Sequence, residues 1–301
     1  SMITTKCCVE DQTRNNCAIG EQSTAEVALS ENVTETANSR SNYSVDASAR
    51  GGMEMRYINV IYYPLGYDSQ EYNYSARALI GQLGANIERI GYVARSIGTI
   101  EWPRPRPTGQ GSTESSYDQI IQENDLCTIA RNSNLNYIMT WVDPRFDTTE
   151  GWETAIYRKC GFNLTVTSFD FGRDISQAMH SLGHHMERLI MRNAGDEAYT
   201  DFSGMVDSRI INETKSGSTH LPPNNKDGRA YNYRGTEIAH SNVAIGRWSG
   251  TVTPQDIDCR IWRCSELEYH IWWFNNLNPN WKGFMTLPSN FTSTNGPTYS
   301  G

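Results

Sequence analysis

The 301-residue sequence has no long hydrophobic run and no excess of basic residues. No stretch approaches the ~20 apolar residues that a membrane-spanning helix needs, so we expect no membrane span. Lys and Arg number 26 against 34 Asp and Glu, which gives a formal net charge of -8. A protein that neutralises phosphates needs a basic face, so this charge argues against a nucleic-acid partner.

Several motifs of common enzyme classes are also missing. There is no G-x-S-x-G elbow, P-loop or G-x-G-x-x-G fingerprint, which argues against serine hydrolases and against nucleotide- or dinucleotide-binding enzymes. The seven cysteines include no C-x-x-C pair, so the zinc-ribbon spacing is absent. Cys259 and Cys264 are close enough in sequence to form a small disulfide loop.

The composition favours a secreted or cell-surface protein. Asn, Ser, Thr, Tyr and Trp are frequent and Lys is rare, as in many extracellular chains. Six Asn-x-Ser/Thr sequons also indicate a glycoprotein, although a chain so rich in these residues contains some by chance. They stand at Asn32, Asn42, Asn73, Asn163, Asn212 and Asn290.

The composition and the hydrophobic pattern of the sequence change twice along the chain. Residues 1–52 form a polar extension rich in Ser, Thr, Asn and Glu, which ends at a pair of glycines. Residues 53–193 alternate between strand and helix patterns. Residues 194–301 are rich in Asn, Gly, Pro and Trp, and we interpret them as a loop-rich cap packed on the same domain.

In the middle part, short apolar runs alternate with segments of helical spacing. The predicted strands are residues 57–63, 92–102, 137–142 and 162–169. The predicted helices are residues 75–89, 117–129, 152–160 and 174–192. This alternation predicts an α/β fold with a mostly parallel sheet and crossover helices, covered by a Trp-rich C-terminal cap. A further helix over 265–277 opens with a predicted capping box of Ser265 and Glu268.

The helix over 174–192 carries the strongest chemical signal. His180, His184 and Glu187 stand at i, i+4 and i+7, so they share one helical face. Two imidazoles at this spacing can bind one metal ion, with Glu187 as a fourth ligand or as the partner of a ligand. Ser181 stands where the H-E-x-x-H motif has Glu, so the signal is not that motif. The alternative is a solvated face with ordinary side-chain contacts.

His220 is the candidate third ligand. It precedes a double proline, which fixes the backbone in an extended form and holds the imidazole in a set direction. The alternative is a turn with a surface histidine. With His180 and His184 it predicts a three-histidine site, for which zinc is the expected metal if one is bound.

Charged residues also follow the predicted strands. Asp143, Asp170, Arg173 and Asp174 would lie at the carboxyl edge of a parallel sheet, where α/β proteins bind ligands. Arg173 can bind an anionic ligand or pair with Asp143 or Asp170, and Asp174 is expected to cap the helix. Glu153, in the loop that follows the strand ending at Asp143, is a candidate general acid or base if this loop folds back over the sheet edge. The alternative is a solvated loop carboxylate.

The remaining aromatic and histidine residues are interpreted mainly as core. His270 lies on the apolar side of its helix, which favours a hydrogen-bonded core histidine over a ligand. An aromatic-dense region could stack on sugar rings, although aromatics at helical spacing are more often buried. It consists of Trp262, Trp272, Trp273, Trp281, Tyr231 and Tyr233.

Three of these stretches resemble motifs of a group of secreted bacterial proteins: a GHR-x-E helix, an H-[YF]-PPN loop and a WWF-x-HLP helix. The corresponding residues here begin at Gly183, His220 and Trp272, and the resemblance covers roughly residues 57–281. His185 replaces the Arg, and Asn276 replaces the second His. The group has no established activity, so the resemblance implies only that these stretches belong to one site.

These observations predict a secreted, metal-dependent hydrolase that acts on peptide or glycan material. His180, His184 and His220 would hold zinc, and Glu153 would activate water. One alternative is a metal-independent carbohydrate binder, or a glycosidase that uses Asp143 and Glu153. Another is a structural surface protein without a catalytic site. The sequence leaves the oligomeric state open.

Overall fold

A five-stranded sheet forms the centre of the fold. Its strands are β1 (Glu54–Pro64), β2 (Val93–Arg104), β3 (Tyr137–Val142), β4 (Thr154–Tyr157) and β5 (Leu164–Asp170), in the order β2-β1-β3-β5-β4. β1 pairs in parallel with β2 and β3, and β3 pairs in parallel with β5. Only β4 runs antiparallel, beside β5. The computed structural model describes residues 53–65, 69–104, 113–142, 154–206, 209–210, 215–225, 230–241 and 255–286.

The central strands are buried on both faces. In β3, five consecutive residues from Tyr137 to Trp141 are buried, and Val60 and Ile61 of β1 are fully covered. A parallel strand between two helical layers needs apolar residues on both sides, which is why these strands read as continuous hydrophobic runs. The predicted α/β class with a mostly parallel sheet is confirmed.

Helices cover both faces of this sheet. α1 (Ser69–Arg89) and α4 (Ile175–Ala194) share one apolar cluster with Tyr137 and Trp141. α2 (Thr113–Glu123) and α3 (Leu126–Ser133) share a second cluster with Ile138 and Val166. Alternate residues of the strands point to opposite faces, so each strand supplies both clusters.

Two predicted helices differ from the structure. The helix over 117–129 is broken into α2 and α3 at Asp125, which has a positive φ of 49°. Asp tolerates this left-handed conformation better than most residues, but no Gly or Pro marks the break in sequence. The helix predicted over 152–160 is wrong, because residues Thr154–Tyr157 form β4. Its strand form depends on the free edge of β5, which is a tertiary partner that local spacing does not reveal.

The C-terminal part contains three α-helices among the described residues: α5 (Asp196–Ser203), α6 (Glu266–Asn275) and α7 (Pro279–Lys282). Two 3-10 helices, Cys259–Trp262 and Gly283–Thr286, accompany them. Trp273 and Phe274 of α6 are fully buried in the same cluster as Met179 of α4. The predicted capping box is wrong, since Ser265 makes no side-chain bond at the helix start. Glu268 instead pairs with Arg89, 2.6 Å away.

Short two-stranded ribbons complete the described C-terminal part. They are β6 (Met205–Val206) with β7 (Arg209–Ile210), and β8 (Ala239–Ser241) with β9 (Gln255–Ile257). Every described residue belongs to one compact unit, Asp46–Gly301. The extension over 1–52 lies outside the described residues, and the proposed boundary at residue 193 stays a prediction.

Two disulfides link described cysteines. Cys259 and Cys264 pair as the sequence suggested. Cys127 of α3 pairs with Cys160, which follows β4, and no spacing pattern in the sequence predicts that bond. Disulfides of this kind are compatible with a secreted protein. No helix in the described part of the chain combines the length and the hydrophobicity that a membrane span requires.

Candidate metal centre

Helix α4 has two buried faces. Its start is fixed by Asp174, whose carboxylate accepts a hydrogen bond from the backbone N–H of Ser176, so the predicted N-cap is confirmed. Met179, Leu182 and Met186 face the sheet and are fully buried. The opposite face carries the His/Glu stripe, which the C-terminal part covers, so that only 3% of His180 and 8% of Glu187 are exposed.

Three histidines converge on this second face. Nε2 of His184 lies 3.0 Å from Nε2 of His180 and 2.9 Å from Nε2 of His220. The third side of the triangle, from His220 to His180, is 3.0 Å. The loop over 215–225 has therefore carried His220 to the point where the two helical imidazoles meet. We call these three residues the histidine triad.

Glu187 fixes the orientation of His184. Its Oε2 lies 2.9 Å from Nδ1 of His184. A carboxylate only accepts hydrogen bonds, so Nδ1 of His184 must carry the proton. In the neutral ring, Nε2 then presents a lone pair to the other two members of the triad.

Glu187 itself is held by a closed set of donors. Its Oε1 accepts hydrogen bonds from the Tyr199 hydroxyl at 2.6 Å and from the backbone N–H of Thr219 at 2.8 Å. Burial alone would raise the pKa of Glu187, but the bonds from His184, Thr219 and Tyr199 hold it below the ordinary value. The side chain is thus a buried carboxylate that orients a histidine. Of the two predicted roles, its contacts fit the partner of a ligand.

His180 has a carboxylate on its far side as well. Oε1 of Glu266, the first residue of α6, lies 3.4 Å from Nδ1 of His180, and the Tyr233 hydroxyl lies 3.5 Å from the same atom. Both distances are longer than a good hydrogen bond. Glu266 still places negative charge behind His180, which favours a proton on Nδ1 and a lone pair on Nε2.

His270 stands behind His180 as a buried core histidine. Its ring meets that of His180 edge to face, with centroids 5.1 Å apart. His270 is fully buried, and burial and then the neighbouring His180 hold its pKa well below the ordinary value. His180, Glu266 and His270 form a second group compatible with a metal ion, but it shares His180 with the triad. The edge-to-face contact agrees with the predicted core role.

His220 is positioned by a tight loop. The Ser218 N–H donates to Leu221 O at 2.8 Å, and Gly217 has a positive φ of 72°. A Cβ at Gly217 would lie 2.3 Å from Leu221 O, so no other residue fits there. Burial, followed by the proximity of His184 and His180, lowers the pKa of His220 to about 4, which keeps its ring neutral at physiological pH.

Gly183 allows this loop to lie against α4. A Cβ on Gly183 would come within 2.9 Å of the side chain of Thr219, which is itself fully buried. Thr219 is also the residue whose N–H binds Glu187. The Gly-His pair of the helix and the His220 loop therefore form one packed arrangement.

The donor set of the triad fits a metal ion. Nitrogens that each lie about 2.1 Å from a common ion are separated by roughly 3.0–3.4 Å at angles of 90–110°. The observed separations of 2.9–3.0 Å lie at or just below the lower end of that range. Three lone pairs that converge at this distance repel one another unless a cation or proton lies among them. His180, His184 and His220 can therefore hold a metal ion.

Other residues predicted for the site lie elsewhere or outside the described chain. Arg173 pairs with Asp170 at 3.4 Å and with Gln177, which is one of the two roles expected for it. Asp170 and Arg173 lie just before the start of α4, whereas the two triad histidines of α4 lie further along the helix. Asp143 and Glu153 are outside the described residues, so their roles stay predictions.

Two residues near the triad were not foreseen in these roles. Glu266 precedes Glu268, the residue at the capping-box position, and carries no sequence signal of its own. The sequence marks Tyr231 only as part of an aromatic-dense region, yet its hydroxyl lies 3.0 Å from Nε2 of His220. Both reach the triad through tertiary packing, for which the sequence offers no local signal.

Comparisons with known proteins assign no family. No model of a known protein family matches the chain, and no curated protein sequence is significantly similar to it. The geometry of the histidine triad is therefore the basis on which a function can be assigned.

Proposed function

We propose that the protein is a secreted, zinc-dependent hydrolase that acts on peptide or glycan material. The convergence of the three Nε2 atoms at 2.9–3.0 Å is the observation that supports it. Imidazole nitrogens suit zinc and several other transition metals, and catalytic zinc sites typically have three protein ligands and one open position.

In this proposal the chain's own residues hold and orient the ligands. His180, His184 and His220 bind the ion, Glu187 keeps the proton of His184 on Nδ1, and Glu266 acts in the same way behind His180. A zinc ion so bound would supply Lewis acidity, which polarises a carbonyl group and lowers the pKa of water. Glu153 remains the predicted general base.

The accessibility of the triad supports a catalytic over a purely structural metal. His184 and His220 are partly exposed, and Tyr231 beside them is 52% exposed. A structural zinc site is typically closed by four protein ligands, whereas a catalytic site keeps a route for substrate. The two disulfides and the absence of a spanning helix among the described residues are compatible with secretion.

The alternatives receive less support from the geometry. A carbohydrate binder would stack exposed tryptophans on sugar rings, but Trp273 and Trp281 are both buried in the apolar cluster. A structural protein without a site has no need of buried His180 and Glu187 side chains close to His220. Both residues are buried, and His180 contacts His220 directly.

The test measures the metal content and the activity of three proteins: the wild type, His184→Ala and His185→Gln. We expect the purified chain to contain or bind one zinc ion, and we expect His184→Ala to bind none. His185→Gln is the matched control, because His185 is adjacent in sequence but contacts Tyr137 on the sheet side of α4. This variant should bind zinc like the wild type.

Activity is then measured as new amino groups from a peptide mixture and new reducing ends from a polysaccharide mixture. Either signal should disappear with chelator and in His184→Ala, and return when zinc is added back to the wild type. A chain that binds no metal, and whose melting temperature is the same with and without chelator, would contradict the proposal.

A further inference from the structure

Tyr231 lies at the open side of the histidine triad. Its hydroxyl is 3.0 Å from Nε2 of His220, the atom that faces the other two histidines. Its ring stacks on the ring of His180, with centroids 5.6 Å apart and an interplanar angle of 19°. The ring of His220 is closer still, at 4.5 Å. Two members of the triad thus hold the phenol beside their converging nitrogens.

The backbone at Tyr231 is held in an unusual conformation. Its φ of 66° lies in the left-handed region, which is costly for an aromatic residue. The N–H of Tyr231 donates to His220 O at 2.8 Å, so the strained residue is tied to the loop that carries the third histidine. Such strain persists where surrounding structure imposes it, and it is common at functional sites.

The 3.0 Å contact between the Tyr231 hydroxyl and His220 Nε2 would have a different role once a metal ion is bound. In the metal-free triad, the Tyr231 hydroxyl can donate to the lone pair of His220 Nε2. With that lone pair bound to a metal, the hydroxyl can no longer donate to His220 Nε2, but it stays at a distance typical of two ligands of one ion. The phenol oxygen can then turn its own lone pair toward the metal.

We propose that Tyr231 is the fourth protein ligand of the resting metal centre and that substrate displaces it. On binding, the phenol O–H bond breaks, its proton passes to solvent and the oxygen bonds the metal. On displacement the oxygen–metal bond breaks and the oxygen takes a proton from solvent. A bound cation stabilises the deprotonated form of a ligand, and tyrosinate ligation of metals is known.

Exposure of the side chain permits the displacement. Tyr231 is 52% exposed, whereas its neighbour Tyr233 is buried and donates to Thr219 O at 2.8 Å. The ring of Tyr231 can rotate into solvent without opening the core, and Tyr233 cannot. The proposal depends on the metal site of the proposed function and adds the residue that closes that site between turnovers.

The test uses copper(II) as a probe of the full chain, because zinc has a filled d shell and gives no visible charge-transfer band. We expect the copper-loaded wild type to show a phenolate-to-copper absorption band that is missing in Tyr231→Phe. The Phe ring keeps the stacking on His180. Tyr92→Phe is the control, since that hydroxyl donates to Lys282 O away from the triad, and it should keep the band.

Zinc affinity provides a second measurement by competition with a chelator. Loss of a partner behind a ligand typically costs 10–100-fold in affinity, so loss of a direct ligand in Tyr231→Phe should cost at least about tenfold. A wild type that binds one copper ion but has the same spectrum as Tyr231→Phe would overturn the tyrosine ligand and leave the three-histidine site intact. A wild type that binds neither metal would overturn both proposals.

Discussion

The two faces of helix α4 place adjacent histidines in different environments. His185 faces the sheet, where its Nε2 meets the Tyr137 hydroxyl at 3.1 Å and burial lowers its pKa to about 3. His184 faces the C-terminal part, where Glu187 orients it toward His180 and His220. One ring has a single neutral hydrogen-bond partner, and the other has a carboxylate behind it and two imidazoles in front.

The difference shows what converts a buried histidine into a candidate ligand. His185 is buried and His184 is mostly buried, and burial by itself favours only the neutral form. The carboxylate partner fixes which nitrogen carries the proton, so the other nitrogen keeps its lone pair. Where further nitrogen donors converge on that lone pair, the group can bind a metal ion. His180 follows the pattern of His184 through Glu266, whereas His270 is buried with a backbone carbonyl as its partner.

After the complete loss expected for His184→Ala, the largest effect is expected from His220→Ala. This change removes one corner of the triad and leaves the two ligands on α4, so zinc affinity should fall more than about 100-fold. Chelator competition measures the loss, and circular dichroism checks that the fold is kept. An affinity within tenfold of the wild type would show that His220 is not a ligand.

A smaller effect is expected from Glu187→Gln. The amide keeps the size of the side chain but removes the charge that holds the proton on Nδ1 of His184, so zinc affinity should fall about 10–100-fold. The same titration, compared directly with His220→Ala, measures this. Equal losses in the two variants would indicate that Glu187 binds the metal itself.

A weaker effect still is expected from Glu266→Gln. Its carboxylate is 3.4 Å from His180 and its side chain is one-third exposed, so solvent screens it more than Glu187. Zinc affinity should fall about tenfold or less. A loss larger than that of Glu187→Gln would reverse the assigned order of the two supporting carboxylates.

No loss of metal affinity is expected from His185→Ala. The change leaves the Tyr137 hydroxyl without this partner inside the core, and should lower the free energy of unfolding by about 2 kcal/mol. Urea unfolding in the presence of chelator measures the stability, and titration of the folded protein measures zinc binding. Weakened zinc binding would mean that the two faces of α4 are coupled.

Much of the fold could be predicted because its strands are local apolar runs. The central strands carry enough β-branched and aromatic residues to be recognised without their partners. The antiparallel edge strand β4 could not be predicted, because its four residues form a strand only by pairing with β5. The break at Asp125 and the pairing of Cys127 with Cys160 likewise depend on packing.

Some residues of the candidate site could likewise be predicted from the sequence, and others could not. His180, His184 and Glu187 were found because helical geometry alone places them on one face. The double proline after His220 predicts a rigid loop, but it does not show which part of the fold that loop packs against. Glu266 and Tyr231 reach the triad from elements far away in sequence, so no spacing rule points to them.

The most direct measurement of the central claim is the anomalous scattering of zinc in crystals of the zinc-loaded protein. We predict one strong peak about 2.0–2.1 Å from each Nε2 atom of His180, His184 and His220. A zinc-loaded crystal with no peak among these three nitrogens, or with its peak bound elsewhere, would contradict it.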